Sequence, residues 1–308
     1  MPEIICVGPD GSNLLGFLAA VGSLVALDHA WPDRDVRLAW RKAGPWRPAL
    51  QVGGEPAQSE IVDALDRELK RRAIDVRRED GELAQNTNNL TPGGFRLQAR
   101  QACRSASQAH RLDADFLSAI ASDAIRDRRD EEKLEDSAFR TLSGVGHQDF
   151  FGTMRNLVET TTREDLEKAL FKQWEYRGGK NISLRLDPRE DRRYALRATD
   201  PGKQDVVTVP GANRLAIEAL VCFPTFPVGG RLRTVGFQGE EAVWPIWDAM
   251  LSRSTIESLL LRKELYSSAE VEERKVLRAI GVTQVYRSSR INTGGGHFRN
   301  FTIARPCM

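Results

Sequence analysis

The sequence has no apolar run approaching the roughly 18 residues that a membrane-spanning helix needs. Its longest candidate, LLGFLAAVGSLVAL at 14 to 27, is too short and carries two glycines. A helix is expected there, and no membrane partner. The opening MPEIICVG lacks the basic start and long apolar centre of a secretory signal, so a cytoplasmic protein is expected. Cysteine is scarce: Cys6, Cys103, Cys222 and Cys307 are far apart, without the paired spacing of a structural zinc site or a thioredoxin-like motif. His29, His110, His147 and His297 are just as scattered. No metal and no cofactor is expected. Three catalytic signatures are also missing: the G-x-S-x-G elbow, the G-x-x-x-x-G-K-[ST] phosphate loop, and a G-x-G-x-x-G opening a helix after a strand. Hydrolase, NTPase and dinucleotide readings lose their anchors, and the expectation moves from an enzyme towards a binding protein.

What is present is a globular composition. The 308 residues are 41% hydrophobic and 29% charged, enough for one large or two ordinary domains with a sizeable core. The 45 basic and 43 acidic residues nearly cancel, yet affinity for nucleic acid follows the local field rather than the total. The bases are mainly arginine, which forks onto phosphate and stacks on bases where lysine acts as a point charge.

The pattern along the chain predicts a mixed α/β fold. A strand at IICVG, a turn at PDGSN with Ser12 or Asn13 as cap, and a helix from about 13 to 30 come first, with Gly16 and Gly22 able to admit another element closely. VRLAW at 36 to 40 and WRPALQV at 46 to 52 read as a hairpin returning to the first strand, before an amphipathic helix at 59 to 73. The segment from about 75 to 112 reads as a long loop holding one short strand, FRLQA. Helices are expected at 113 to 125, 147 to 161 and 163 to 174, then strands at 182 to 188 and 192 to 198, and a helix at 212 to 223. LRTVGF and AVWPIW read as strands, TIESLLL and AEVEERKVLRAI as helices, and VTQVYRSSRI with HFRNFTIA as a closing hairpin around NTGGG. The expected organisation is an N-terminal β-α-β-β-α unit within an α/β domain at 1 to 135, a helical connector at 136 to 180, and a C-terminal α/β domain at 181 to 308.

Two segments concentrate arginine. KNISLRLDPREDRRYALRATDPGK, 180 to 203, offers Arg185, Arg189, Arg192 and Arg193 as phosphate contacts, oriented by Asp187, Glu190, Asp191 and Asp200. A surface hairpin of mutual ion pairs fits the same residues. Asp187, Glu190 and Asp191 also fit a magnesium-dependent nuclease, but three acids in one turn among as many arginines make a poor ligand set. The second segment, 283 to 308, has no Asp or Glu. Its Arg287, Arg290, Arg299 and Arg305 are interleaved with Tyr286, His297, Phe298 and Phe301, a mixture suited to phosphates and unpaired bases. Gly294, Gly295 and Gly296 would let the hairpin tip approach a backbone without Cβ clashes. The alternative is an ordinary hairpin whose Tyr286, Phe298, Phe301 and Ile303 alternate into the core.

GPDGSNLLGFLAAVGSLVALDHAWP at 8 to 32 resembles the start of proteins encoded beside type I-G (formerly type I-U) CRISPR effectors, in which a turn leads into a Gly- and Ala-containing helix ending near an aromatic-proline pair. SLRLDPREDRRYALRATDP, GANRLAIEALVCFP and GGGHFRNFTIARP look like the body of the same group. The resemblance implies a Cascade-associated subunit that binds crRNA, target DNA or neighbouring effector subunits, with cleavage left to a separate nuclease. It carries no catalytic residue over. An accessory subunit that binds acidic protein surfaces is the alternative.

Overall fold

The computed structural model describes residues 2–107, 111–128, 130–142, 149–190, 206–267, 270–293 and 298–308. Strand β1 (Ile4–Ile5) leads through GPDGSN into helix α1 (Leu14–Ala30). The Asn13 side-chain oxygen accepts from the N–H groups of Leu15 and Gly16, which caps the helix. Every residue from Leu14 to Leu27 is buried, as a helix with no polar face requires. Strands β2 (Val36–Lys42) and β3 (Trp46–Val52) form the expected hairpin. β1 pairs with the free edge of β3, giving the antiparallel order β1-β3-β2. Helix α2 (Gln58–Arg71) turns Ile61, Val62, Leu65 and Leu69 inward against α1.

The segment expected to be loop and strand is instead helix α3 (Pro92–Ser105). Thr91 caps it by accepting from the Gly94 N–H at 3.1 Å, and Pro92 occupies the first turn where its missing N–H costs nothing. FRLQA therefore continues a helix already started. Helices α4 (Leu112–Ile120), α5 (Phe150–Thr160) and α6 (Arg163–Phe171) follow. A small antiparallel pair joins β4 (Arg177–Gly179) to β5 (Val206–Thr208). The strand expected at 182 to 188 does not form. Residues from Ile182 to Asp187 are all buried, so no alternation exists, and Arg185 sits in the left-handed region at φ 58, which breaks a pleat.

Helix α7 (Pro210–Ala219) is buried along its whole length and lies against α1. The hairpin β6 (Thr225–Val228) with β7 (Arg231–Thr234) comes next, its first strand missed by the sequence pattern. β8 (Phe237–Gln238) and β9 (Glu241–Trp247) are followed by helices α8 (Arg253–Leu260), α9 (Lys263–Tyr266) and α10 (Val271–Ala279). The long β10 (Val282–Thr293), with β11 (Phe298–Phe301) and β12 (Arg305–Pro306), completes an antiparallel sheet. Its order is β11-β10-β9-β8, with β12 also on β10. The fold is mixed α/β, as expected.

The two ends of the chain share one core. Leu38 and Leu251 exchange backbone hydrogen bonds of 2.9 and 3.0 Å. Trp247 donates to the Leu38 carbonyl and Trp244 to that of Gly11, both at 2.8 Å. Phe17 lies about 6 Å from the rings of Trp40, Trp244 and Trp247. Buried apolar residues from Cys6 to Phe301 form one cluster, continuous across the divisions expected at 135 and 180. Among the described residues no helix is long and apolar enough to cross a membrane.

Candidate nucleic-acid interface

A buried polar cluster lies where 183–190 meets the start of α1. Asp187, fully buried, accepts from Asn13 Nδ2 at 3.1 Å, the Tyr176 hydroxyl at 2.6 Å and the Arg189 backbone N–H at 2.9 Å. Asn13 thus does two things with one amide: its oxygen caps α1, and its nitrogen ties that helix to a residue 174 positions away. Burial first, and then Asp187, pushes the Tyr176 phenol far above its ordinary range, so it remains a donor. Its ring supports the Arg189 guanidinium at 5.1 Å. Arg189 itself is exposed and has no carboxylate partner among the described residues. A buried carboxyl group thus orients a phenol, and the phenol's ring carries an exposed arginine.

Beside it, Glu190 accepts from the hydroxyls of Ser183 and Thr208. Asn213 on α7 donates to Thr208 at 2.8 Å and accepts from the Leu184 N–H at 2.8 Å. Burial, with a smaller push from Asp187, raises the Glu190 carboxyl to about 7 against the opposing pull of those hydroxyls and Arg185. Because the folded value lies above the ordinary 4.5, the stability linked to Glu190 is fully present below that pH and is lost as pH rises towards 7. The loss is on the order of 3 kcal/mol. Glu190→Gln should remove this component, flattening the urea midpoint across the same window. Parallel curves for the two proteins there would refute the assignment.

The predicted contact residues divide. Arg185 is only 3% exposed and turned inward beside Glu190. Arg287 is equally internal: it donates to Gln238 at 2.7 Å, to Glu241 at 3.3 Å and to the Tyr266 carbonyl at 2.5 Å. Arg290 donates to Glu240 at 2.6 Å and to the Ala138 carbonyl at 2.9 Å. Arg305 reaches Glu241 at 2.7 Å. Three arginines of the acid-free C-terminal run, Arg287, Arg290 and Arg305, are therefore paired with Glu240 and Glu241, at the start of β9. Arg192, Arg193, Gly294, Gly295, Gly296 and His297 lie outside the described residues. For Arg299 only the backbone is described, on β11 opposite Asn292. Tyr286 and Phe301 are core residues as the alternation suggested, whereas Ile303 is 84% exposed.

The structure also brings the two arginine segments together. β11 lies against the 3₁₀ turn Pro188–Glu190, so the elements that carry Arg189 and Arg299 are neighbours. The carboxylates of Asp187 and Glu190 are spent on internal donors, and among the described residues no group of three His, Cys, Asp or Glu could hold a metal ion. Compared with protein-family models, curated proteins and solved structures, the chain matches none.

Proposed function

We propose that this chain is a non-catalytic nucleic-acid-binding subunit of a prokaryotic CRISPR type I effector, the assembly that its sequence resemblance implies. The observation that carries the nucleic-acid reading is the meeting of its two arginine-rich segments. The turn that holds Arg189 outward on Tyr176 lies against β11, which bears Arg299. Arg189 presents a preorganised fork to a phosphate oxygen, and it loses little freedom on binding because the ring already holds it. Arg185, Arg287 and Arg290 act beneath this surface, fixing the loop and the sheet that carry it.

Filter binding of the full chain to single-stranded RNA, single-stranded DNA and duplex DNA tests the reading. The log affinity should fall with log salt by about 0.7 to 0.9 per neutralised phosphate. Arg189→Glu with Arg299→Glu should lower that slope by roughly 1.4 to 1.8 while leaving the circular dichroism unchanged. Absent or salt-insensitive binding by the wild-type chain would overturn it. Co-purification with protein partners in that case would mark an accessory, protein-binding subunit.

A further inference from the structure

Helix α3 bears a third concentration of arginine. The sequence from Leu83 to Leu112 contains no Asp or Glu, an acid-free stretch besides the C-terminal one. Within it Arg96, Arg100 and Arg104 recur every fourth residue, which stacks them on one face with a rise of about 6 Å between successive positions. Phe95 is the only buried residue of the helix, and all three arginines are exposed. Other surface helices pair their cations within the helix: Lys70 with Asp66 on α2, and Lys168 with Glu164 and Arg163 with Glu167 on α6. α3 has no acid to do so. Asp123, beyond α4, takes Arg96 at 2.5 Å. Arg100 and Arg104 have no carboxylate partner among the described residues. The favourable position of a cation in the last turn of a helix accounts for Arg104 alone.

Helix α3 is anchored in the core by Phe95. An open groove of about 490 Å³ runs along it, lined by Arg96, Ala99, Arg100, Cys103, Arg104 and Asp123. Leu97, Arg100, Gln101, Arg104 and Ser105 line a second groove on its other flank. Arg100 and Arg104 border both, so they form a ridge that an extended polyanion can meet along its length. Regular one-per-turn spacing of forked donors matches a repeating phosphodiester better than a compact anion, for which the grooves are too open.

We propose that α3 is a second phosphate-binding track, with Arg100 and Arg104, extended by Arg96, contacting successive phosphates of a polynucleotide backbone. The ligand class rests on the nucleic-acid reading above, but the face is a separate one. Cys103 supplies the probe. It is exposed within the groove, whereas Cys6 and Cys222 are buried with their thiols pushed up by burial, that of Cys6 to about 12. Iodoacetamide labelling of the full chain, read by peptide mass spectrometry, should show Cys103 alkylation slowed several-fold by a single-stranded or duplex oligonucleotide at low salt. High salt should reverse that protection, and Cys307 serves as the internal reference. Arg100→Ala with Arg104→Ala should lower the salt slope of binding by roughly 1.4 to 1.8, with an unchanged melting temperature because both side chains are in solvent.

Protection of Cys103 by the single strand alone, or by the duplex alone, supports the track and identifies the backbone it takes. Oligonucleotide binding that leaves Cys103 reactivity and the double variant's slope unchanged overturns the track and leaves the Arg189 surface standing. Equal protection by polyglutamate overturns it in favour of an acidic protein partner. Failure of the wild-type chain to bind any oligonucleotide overturns both readings together.

Discussion

Replacing Glu218 by alanine is expected to cost about 3–5 kcal/mol of stability, seen as a large fall in the urea midpoint. Arg214 and Glu218 are one turn apart on α7, 1% and 2% exposed, and their charged atoms meet at 2.7 Å. Arg72 reaches the other Glu218 oxygen at 3.3 Å, and Arg214 also donates to the Leu69 carbonyl at 2.9 Å. The group thus bolts α2 onto α7. Burial alone would raise the Glu218 carboxyl, but Arg214 and Arg72 outweigh it and hold the group below its ordinary 4.5. Truncating the acid leaves Arg214 charged, dry and short of its counter-ion. The pair need not be worth that much in itself, since replacing both charges by apolar groups removes the desolvation cost together with the attraction. Arg214→Met with Glu218→Leu should therefore recover much of what Glu218→Ala loses. A loss below about 1 kcal/mol in the single variant, the size of an exposed pair, would refute this account. The pH signs of the two buried glutamates are opposite. A lowered folded value means that Glu218 contributes stability above the ordinary carboxylate range and loses it as pH falls through its folded value, whereas the contribution of Glu190 is lost as pH rises.

Gly22→Ala should be the other severe change, although helix propensity argues the reverse. In an isolated helix alanine is better than glycine by about 1 kcal/mol. In α1 an added Cβ would lie 1.8 Å from the Leu215 carbonyl oxygen and 2.7 Å from its carbon. Both are backbone atoms of the fully buried α7, which cannot move without shifting Glu218 and Asn213 with it. Overpacking of this kind typically costs 1–3 kcal/mol and sometimes more, so the clash outweighs the propensity gain. A melting temperature lowered by several degrees, or loss of soluble protein, is the expected result. Gly93→Ala in α3 is the control, because nothing lies within 4 Å of its added Cβ; it should be neutral or slightly stabilising. Equal melting behaviour in the two variants would show that α1 and α7 do not cross as closely as described.

These two sites mark how far the sequence could be read. The spacing in ANRLAIEALVCF already gave a helix, and the apolar circumference of α1 already required burial. The sequence could not say that the polar side of α7 would also be buried, because Arg214 and Glu218 at i and i+4 look the same on an exposed helix face. Gly22 was legible as a place of close approach, but not as the crossing point with α7. The α3 row was present as TPGG followed by arginines at every fourth position. The β-like residues of FRLQA concealed it, since the cap that starts the helix lies upstream of them. The hairpin strand TFPV was hidden in the same way by its proline, and the buried run 182–187 imitated a strand because both kinds of segment are rich in Leu and Ile.

By itself the sequence determined the fold class, the central helix with its Asn13 cap, the order of the N-terminal hairpin and the closing pair of strands, because periodicity, caps and turn residues act over a few positions. Only the tertiary structure decided which charges are free. It spent Arg287, Arg290 and Arg305 on Glu240 and Glu241, turned Arg185 inward, and left Arg189, Arg100 and Arg104 without a carboxylate partner among the described residues. Charge is cancelled by whatever lies within a few ångströms in space, and separation along the chain gives no measure of that distance.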